Sequence, residues 1–120
     1  MRNYWNFKGG LTQIDEWQPG CLVQVTCPVE DHVRFLEETL GMPDYFLTDV
    51  ADADERARYD YDEGWLMIIV RIPHLKNISS RSPYTTIPLR IVIKGDVSVT
   101  ICNQETRMMR DFISHQKRRA

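Results

Sequence analysis

The chain has 120 residues, with 15 Lys and Arg against 17 Asp and Glu, a formal net charge of −2 and 42% hydrophobic residues. This composition is typical of one globular, soluble domain spanning residues 1–120, and it excludes the disordered and fibrous classes. The longest apolar run, residues 65–70, has six members, whereas a membrane-spanning helix needs about 20. We therefore expect a chain that does not insert in a membrane and that carries no secretory signal.

Three cysteines, Cys21, Cys27 and Cys102, form no C-x-x-C pair, and their odd number argues against a complete disulfide framework. Cys21 and Cys27 stand at the two ends of one predicted strand, about 20 Å apart, which is too far for a disulfide bond. The sequence therefore predicts free thiols, and we expect them to be buried.

The first 27 residues predict three strands. Residues 4–7 and 11–14 flank Gly9 and Gly10, a glycine turn that is typical of a hairpin. Residues 21–27 alternate between two sets of side chains, and this period of two indicates a third strand.

Residues 28–50 predict two helices. Pro28 is expected at the first helical position, capped by one of the two residues before it. A stripe of four apolar residues follows at spacings of four, three and four: Val29, Val33, Leu36 and Leu40. Gly41 provides the expected end of this helix, and Pro43 begins a second helix of about two turns.

Residues 56–72 predict a hairpin. Its strands, residues 56–61 and 65–72, are joined by the turn Asp62-Glu63-Gly64. The second strand is apolar on both faces, so we expect it at the centre of the sheet. Residues 76–83, with three serines, predict an exposed loop.

The rest of the chain predicts two strands and a helix. Residues 84–93 form a strand in which Pro88 indicates an edge or a bulge, because proline cannot donate to a ladder. Residues 97–102 form the last strand, and a helix starts near Thr106. The order βββααββββα predicts an α+β fold: a single mixed, mainly antiparallel sheet of about seven strands with helices packed on it.

Carboxylates are concentrated between residues 44 and 63. They are Asp44, Asp49, Asp52, Asp54, Glu55, Asp60, Asp62 and Glu63. Hard divalent cations bind such oxygens, but Arg56 breaks the pattern of a calcium loop. From spacing alone, helix caps and solvated turns explain these carboxylates better than a cation site does.

Other site classes lack their motifs. The three histidines, His32, His74 and His115, have no zinc-ligand spacing, and no nucleotide-binding or nucleophile motif occurs, so we expect no enzyme. The basic residues between 107 and 119 stand in a chain of negative net charge, and no platform of aromatic residues for stacking bases accompanies them. The sequence therefore predicts no nucleic-acid partner.

Four stretches, in order, carry a resemblance to a known family: LGMPDYFLTDV at 40–50, DADERAR at 52–58, GWLMIIVR at 64–71 and PLRIVIKGDVSVT at 88–100. Together they resemble the N-terminal cytosolic domain of the CorA-like magnesium transporters. Two positions depart from the family pattern, since Ala57 replaces a usual proline and Thr48 a frequent acid.

The resemblance implies a homopentameric transporter for Mg²⁺, sometimes for Co²⁺ or Ni²⁺, whose domains lie on the cytoplasmic side of the cell membrane. Such domains bind regulatory Mg²⁺ between neighbouring subunits and so hold the pore shut. Asp49 matches the aspartate on one side of that site, and Asp52 stands beside it. The partner acid belongs to a stalk helix, so Mg²⁺ binding by these 120 residues alone is expected to be weak.

An alternative stays open, in which the same fold serves as a stand-alone interaction or ligand-binding domain without transport. The family's stalk, transmembrane helices and Gly-Met-Asn pore signature do not occur in these 120 residues. Reading the gene past Ala120 is expected to distinguish the two.

Overall fold

The computed structural model describes residues 1–75, 81 and 84–117, and its centre is one seven-stranded sheet. The strands are β1 (Arg2–Asn6), β2 (Thr12–Ile14), β3 (Leu22–Thr26), β4 (Arg58–Asp62), β5 (Trp65–Leu75), β6 (Tyr84–Lys94) and β7 (Val97–Cys102). They lie in the order β2-β1-β3-β7-β6-β5-β4, and only the β3–β7 pair is parallel. The predicted mixed, mainly antiparallel sheet of an α+β fold is confirmed.

Helical segments join and follow these strands. The helix α1 (Glu30–Arg34) continues through wider, π-type turns at Phe35–Thr39, and a 3₁₀ turn forms at Asp44–Leu47. The last helix is α2 (Arg107–Lys117). Within the described residues, none of the helices has the length and apolar character needed to cross a bilayer.

The start of α1 corrects the prediction of a helix from Pro28. Cys27 takes a left-handed conformation with φ 52°, and its N–H donates to the carbonyl of Cys102 at 2.9 Å. Pairing with β7 thus continues one residue past β3, and the helix begins only at Glu30. Val29 stands at the cap without a side-chain hydrogen bond.

The two faces of the sheet differ in how they are covered. On the core face, side chains of β3, β5, β6 and β7 pack with Leu36 and Phe46 in the main core. On the opposite face, called here the α2 face, Met109 and Ile113 of α2 pack on apolar residues of the sheet. Ile68 and Ile91 pair with one another on this second face and are only partly buried.

Two strand positions differ from expectation. The centre of the sheet is β7, and β5 lies next to the edge strand β4. The strand β6 is an interior strand, but its pairing with β7 ends at Leu89 and Cys102. Pro88 lies just past that end, where β6 has a neighbour on one side only, so its missing N–H removes no β6–β7 bond.

All three cysteines are free, as predicted, but Cys27 is exposed while Cys21 and Cys102 are buried. The expectation that all three thiols are buried is therefore wrong, because Cys27 has left the strand for the turn that leads to α1. Of the loop predicted at 76–83, only Arg81, which is exposed, lies within the described residues.

Candidate functional site

The two aspartates singled out in the sequence lie in one tight turn, residues 49–55, called here the acidic turn. The Asp52 N–H donates to the Asp49 carbonyl at 2.9 Å, and Asp52 Oδ1 accepts from the Asp54 N–H at 2.9 Å. Asp49 has φ 59°, a left-handed conformation that Asp adopts more readily than most residues. Both side chains are exposed.

A buried arginine of β6 lies beneath the acidic turn. Arg90 is 2% exposed, on the core face. Its Nη1 donates to the Phe46 carbonyl at 2.7 Å and contacts Met67 Sδ at 3.7 Å, and its Nη2 donates to the Thr48 carbonyl at 3.0 Å. The guanidinium thus binds the main chain directly before Asp49.

These bonds explain why the second predicted helix is a single 3₁₀ turn, Asp44–Leu47. In an α-helix, the carbonyls of Phe46 and Thr48 would accept N–H groups from four residues further along. Here both carbonyls accept from Arg90 instead, and the chain turns at Asp49.

The far end of the acidic turn is held by a second arginine. Arg71 of β5 donates through Nη1 to the carbonyls of Ala53 at 2.8 Å and Glu55 at 2.9 Å. It is itself anchored to Thr86 on β6, through the carbonyl at 2.6 Å and Oγ1 at 3.1 Å. Two arginines of the sheet therefore take four main-chain carbonyls of residues 46–55.

Of the carboxylates in the acidic turn, Glu55 is paired with a cation. Arg58 contacts it at 2.8 Å and also binds Asp60. Within residues 1–75 and 84–117, neither Asp49 nor Asp52 forms a salt bridge. The charges of these two aspartates therefore face solvent without a paired side chain from the described part of the sheet.

The electrostatics of Arg90 link the core to the acidic turn. Burial lowers the pKa of the guanidinium, because the low-dielectric core disfavours its charged form. The negative charges of Glu55, Asp49 and Asp52 oppose this shift and raise the pKa. The acidic turn thus stabilises the buried cation that holds it.

This donor set suits a hydrated cation held from one side. Mg²⁺ keeps several of its waters and is commonly bound through one or two carboxylates, which Asp49 and Asp52 can supply. No group of three or more His, Cys, Asp or Glu is placed to hold a metal ion among the described residues. The acidic turn can therefore give only part of a coordination shell, and water or a further group would complete it.

A cavity of about 260 Å³ lies elsewhere, between α2 and the sheet. Its lining is mostly apolar or uncharged, as at Trp5, Gln24 and Met109, and it also includes the charged residues Glu105 and Arg110. Because this cavity belongs to the α2 face and the acidic turn is bound from the core face, the two are separate features.

Reasoning from the sequence placed Asp49 and Asp52 but missed the three arginines that organise the acidic turn. A signal did exist, since Arg90 interrupts the apolar stretch at 87–93, and a charge in a buried strand is costly unless it is bonded. Nothing local indicates its partners, which lie 42 and 44 residues away.

Three solved structures share this fold. The CorA magnesium transporter of Methanocaldococcus jannaschii matches with a TM-score of 0.71 and 21% identity over 100% of this chain and 38% of its own. The soluble domain of the same transporter gives 0.71 and 21%, over 100% of this chain and 48% of its own. The ZntB cytoplasmic domain from Vibrio parahaemolyticus gives 0.68 and 18%, over 96% of this chain and 50% of its own.

At these identities the likeness shows the fold, and the chain spans half or less of each of these structures. No curated protein matches the sequence. The family model described as "CorA-like Mg2+ transporter protein" matches residues 20–119, most of the chain. With its fold and sequence in agreement, the chain belongs to the CorA-like Mg²⁺ transporter family.

Proposed function

We propose that this chain is the cytoplasmic regulatory domain of a transporter for Mg²⁺, with Co²⁺ as a further cargo, and that it senses Mg²⁺ through Asp49. In this proposal Asp49, beside Asp52, faces a carboxylate of the neighbouring subunit across the contact of a homopentamer. The proposal combines the family membership with the one observation that carries it, the exposed carboxylates of Asp49 and Asp52, which form no salt bridge within the described residues.

The physical basis is repulsion between like charges. Two facing carboxylates destabilise a subunit contact unless a cation lies between them, so low Mg²⁺ favours a loosened contact and an open pore. A pair of carboxylates on a hydrated ion makes a weak site, and a weak site can follow changes in cytosolic Mg²⁺. In this chain by itself, Asp49 and Asp52 supply one side only.

The experiment titrates MgCl₂ into the ¹⁵N-labelled chain at constant ionic strength and compares it with Asp49→Asn. We expect saturable shifts of the amides at 48–52, with half-saturation at millimolar or higher Mg²⁺, and their loss in D49N. Asp15→Asn is the matched control, because Asp15 is exposed and lies outside the acidic turn. Identical shifts in D49N and the unsubstituted chain contradict the role of Asp49.

The transport part is tested with the complete gene product. Uptake of Mg²⁺ is measured as cytosolic Mg²⁺ is raised, before and after Asp49→Asn. We expect a higher inhibitory Mg²⁺ concentration in D49N and unchanged selectivity of the pore. An unchanged inhibition curve leaves Asp49 with the structural role of ending a 3₁₀ turn.

A second candidate, an interaction domain without transport, is favoured by the uncovered part of the α2 face. Large apolar side chains are exposed on this side of β4 and β6 and on α2: Tyr59, Tyr61, Ile93, Met108 and Phe112. A partner bound there leaves the acidic turn free. Mg²⁺-independent binding at this face, in a gene product without transport, would support this alternative.

A further inference from the structure

Arg90 is an unusual residue for the position that it occupies. It pairs in register with Ile69 of β5 and Ile101 of β7, two residues of the main core, and is itself 2% exposed. A cation in such a place is costly unless it is well bonded. Two of its bonds go to the carbonyls of Phe46 and Thr48, and both carbonyls belong to the segment that leads into the acidic turn.

The residue next to Thr48 is Asp49, in a left-handed conformation that few residues other than glycine adopt. Such a conformation persists where the surroundings hold it. The bond of 3.0 Å from Arg90 Nη2 to the Thr48 carbonyl fixes the peptide group directly before Asp49. That peptide plane, together with the φ of Asp49, determines the direction of the Cα–Cβ bond from which the carboxylate of Asp49 projects.

We propose that Arg90 is a positioning residue for Asp49, which holds its carboxylate in the direction from which it meets a cation. The guanidinium does this by a planar fork on two carbonyls, without itself neutralising the carboxylate. This inference rests on the proposed function for the role of Mg²⁺. The positioning of Asp49 by Arg90 is a property of the metal-free chain.

The acidic turn contains its own matched control. Arg71 also binds two carbonyls of this segment, but at its far end, at Ala53 and Glu55. Arg90→Lys and Arg71→Lys both keep the charge and remove the planar fork, because lysine ends in a single nitrogen. If Arg90 only stabilised the fold, the two variants would affect Asp49 alike.

The first arm of the experiment uses no metal. Residual dipolar couplings and amide exchange rates are measured for residues 48–55 in the unsubstituted chain, R90K and R71K. In R90K we expect changed couplings and faster exchange at 48–50, and in R71K we expect changes confined to 53–55. Unchanged values at 48–50 in folded R90K overturn the proposal.

The second arm repeats the MgCl₂ titration with the same three chains. We expect the half-saturating Mg²⁺ concentration to rise about threefold to tenfold in R90K, the loss that one net hydrogen bond predicts, and to stay within twofold in R71K. Equal changes in both variants overturn positioning by Arg90. If the unsubstituted chain shows no response to Mg²⁺, the one-sided site expected in this chain is contradicted, the uptake measurement still tests the proposed function, and the metal-free arm still decides the role of Arg90.

A measurement on the unsubstituted chain covers the case in which R90K does not fold. Guanidinium protons that are buried and hydrogen-bonded exchange with water slowly, and free ones exchange fast. We expect separate, slowly exchanging Nη protons for Arg90, each close to the main chain at 46–48. Fast exchange of both Nη groups would show that the fork is not formed, and would overturn the proposal.

Discussion

His32 lies beside the amino terminus of the chain. Its Nε2 is 3.2 Å from the α-ammonium of Met1, which also donates to the Thr26 carbonyl at 2.7 Å. Burial lowers the pKa of His32 below its ordinary value of 6.5, and the positive charges of the ammonium and of Arg2 lower it further, against the opposite effect of Asp31. The folded chain therefore favours the neutral imidazole.

This shift predicts the direction of a pH dependence. Because unfolded His32 takes up a proton more readily than folded His32, its contribution to stability is complete above the ordinary value of 6.5. That contribution is lost as the pH falls from there through the folded pKa. Urea unfolding followed from about pH 7.5 to about pH 5 should show a shallower loss of stability in His32→Gln than in the unsubstituted chain. Equal slopes in His32→Gln and the unsubstituted chain would contradict this assignment.

Within β5, neighbouring isoleucines give a matched pair at the level of the element. Ile69 is 1% exposed in the main core, whereas Ile68 points to the α2 face and is only partly buried. We expect Ile69→Ala to lower the free energy of unfolding by about 2–5 kcal/mol and Ile68→Ala to lower it by clearly less. Denaturant unfolding of both variants measures this difference. A larger loss of stability for I68A would mean that Ile68 is covered more fully on the α2 face than its partial exposure indicates.

The helix α2 depends on Thr106. Its Oγ1 accepts the Met109 N–H at 3.1 Å, an N-cap bond, and the residue is 1% exposed. Thr106→Val keeps the shape and removes this acceptor, so the free energy of unfolding should fall by about 1 kcal/mol. Thr106→Ser keeps the hydroxyl and should retain more of the helical signal in circular dichroism than T106V does. Because T106S also removes a buried methyl group, which lowers stability by itself, the helical signal is the deciding measurement. Equal helical signals in the two variants would show that the cap bond contributes little.

The elements show how far local sequence determines this fold. The strands were predicted well, because each carries its own alternation or turn residues, as at Gly64 and Gly95. The first helix was predicted to start too early, because Cys27 pairs with Cys102, far along the chain. No pattern in the sequence around Cys27 indicates a main-chain bond to so distant a residue.

The candidate site divides in the same way. Asp49 and Asp52 are three residues apart, so sequence alone brings them into one turn, and the structure places them there. Arg71 and Arg90 come from strands that lie near this turn only in the folded sheet. They bind main-chain carbonyls and not the exposed carboxylates, and neither composition nor residue spacing predicts this.

At the scale of the whole molecule, the sheet separates two surfaces. The acidic turn is bound from the core face by Arg90, and the exposed apolar side chains of β4, β6 and α2 lie on the α2 face. A charge substitution in the acidic turn should therefore leave contacts of the α2 face intact. This separation makes the two candidate functions experimentally distinguishable in one chain.

Thiol accessibility tests the whole fold at once. Cys27 is exposed, while Cys21 and Cys102 are 3% and 5% exposed, and burial raises the pKa of the Cys102 thiol, which further lowers its reactivity. With a thiol reagent at neutral pH we expect one group to react fast, and two to react only as fast as the fold opens. In Cys27→Ser the fast phase should disappear and the slow phase remain, and in I69A the slow phase should accelerate because a less stable core opens more often. Two or three fast thiols in the native chain would contradict the placement of β3 and β7 in the interior of the sheet, since Cys21 directly precedes β3 and Cys102 is the last residue of β7.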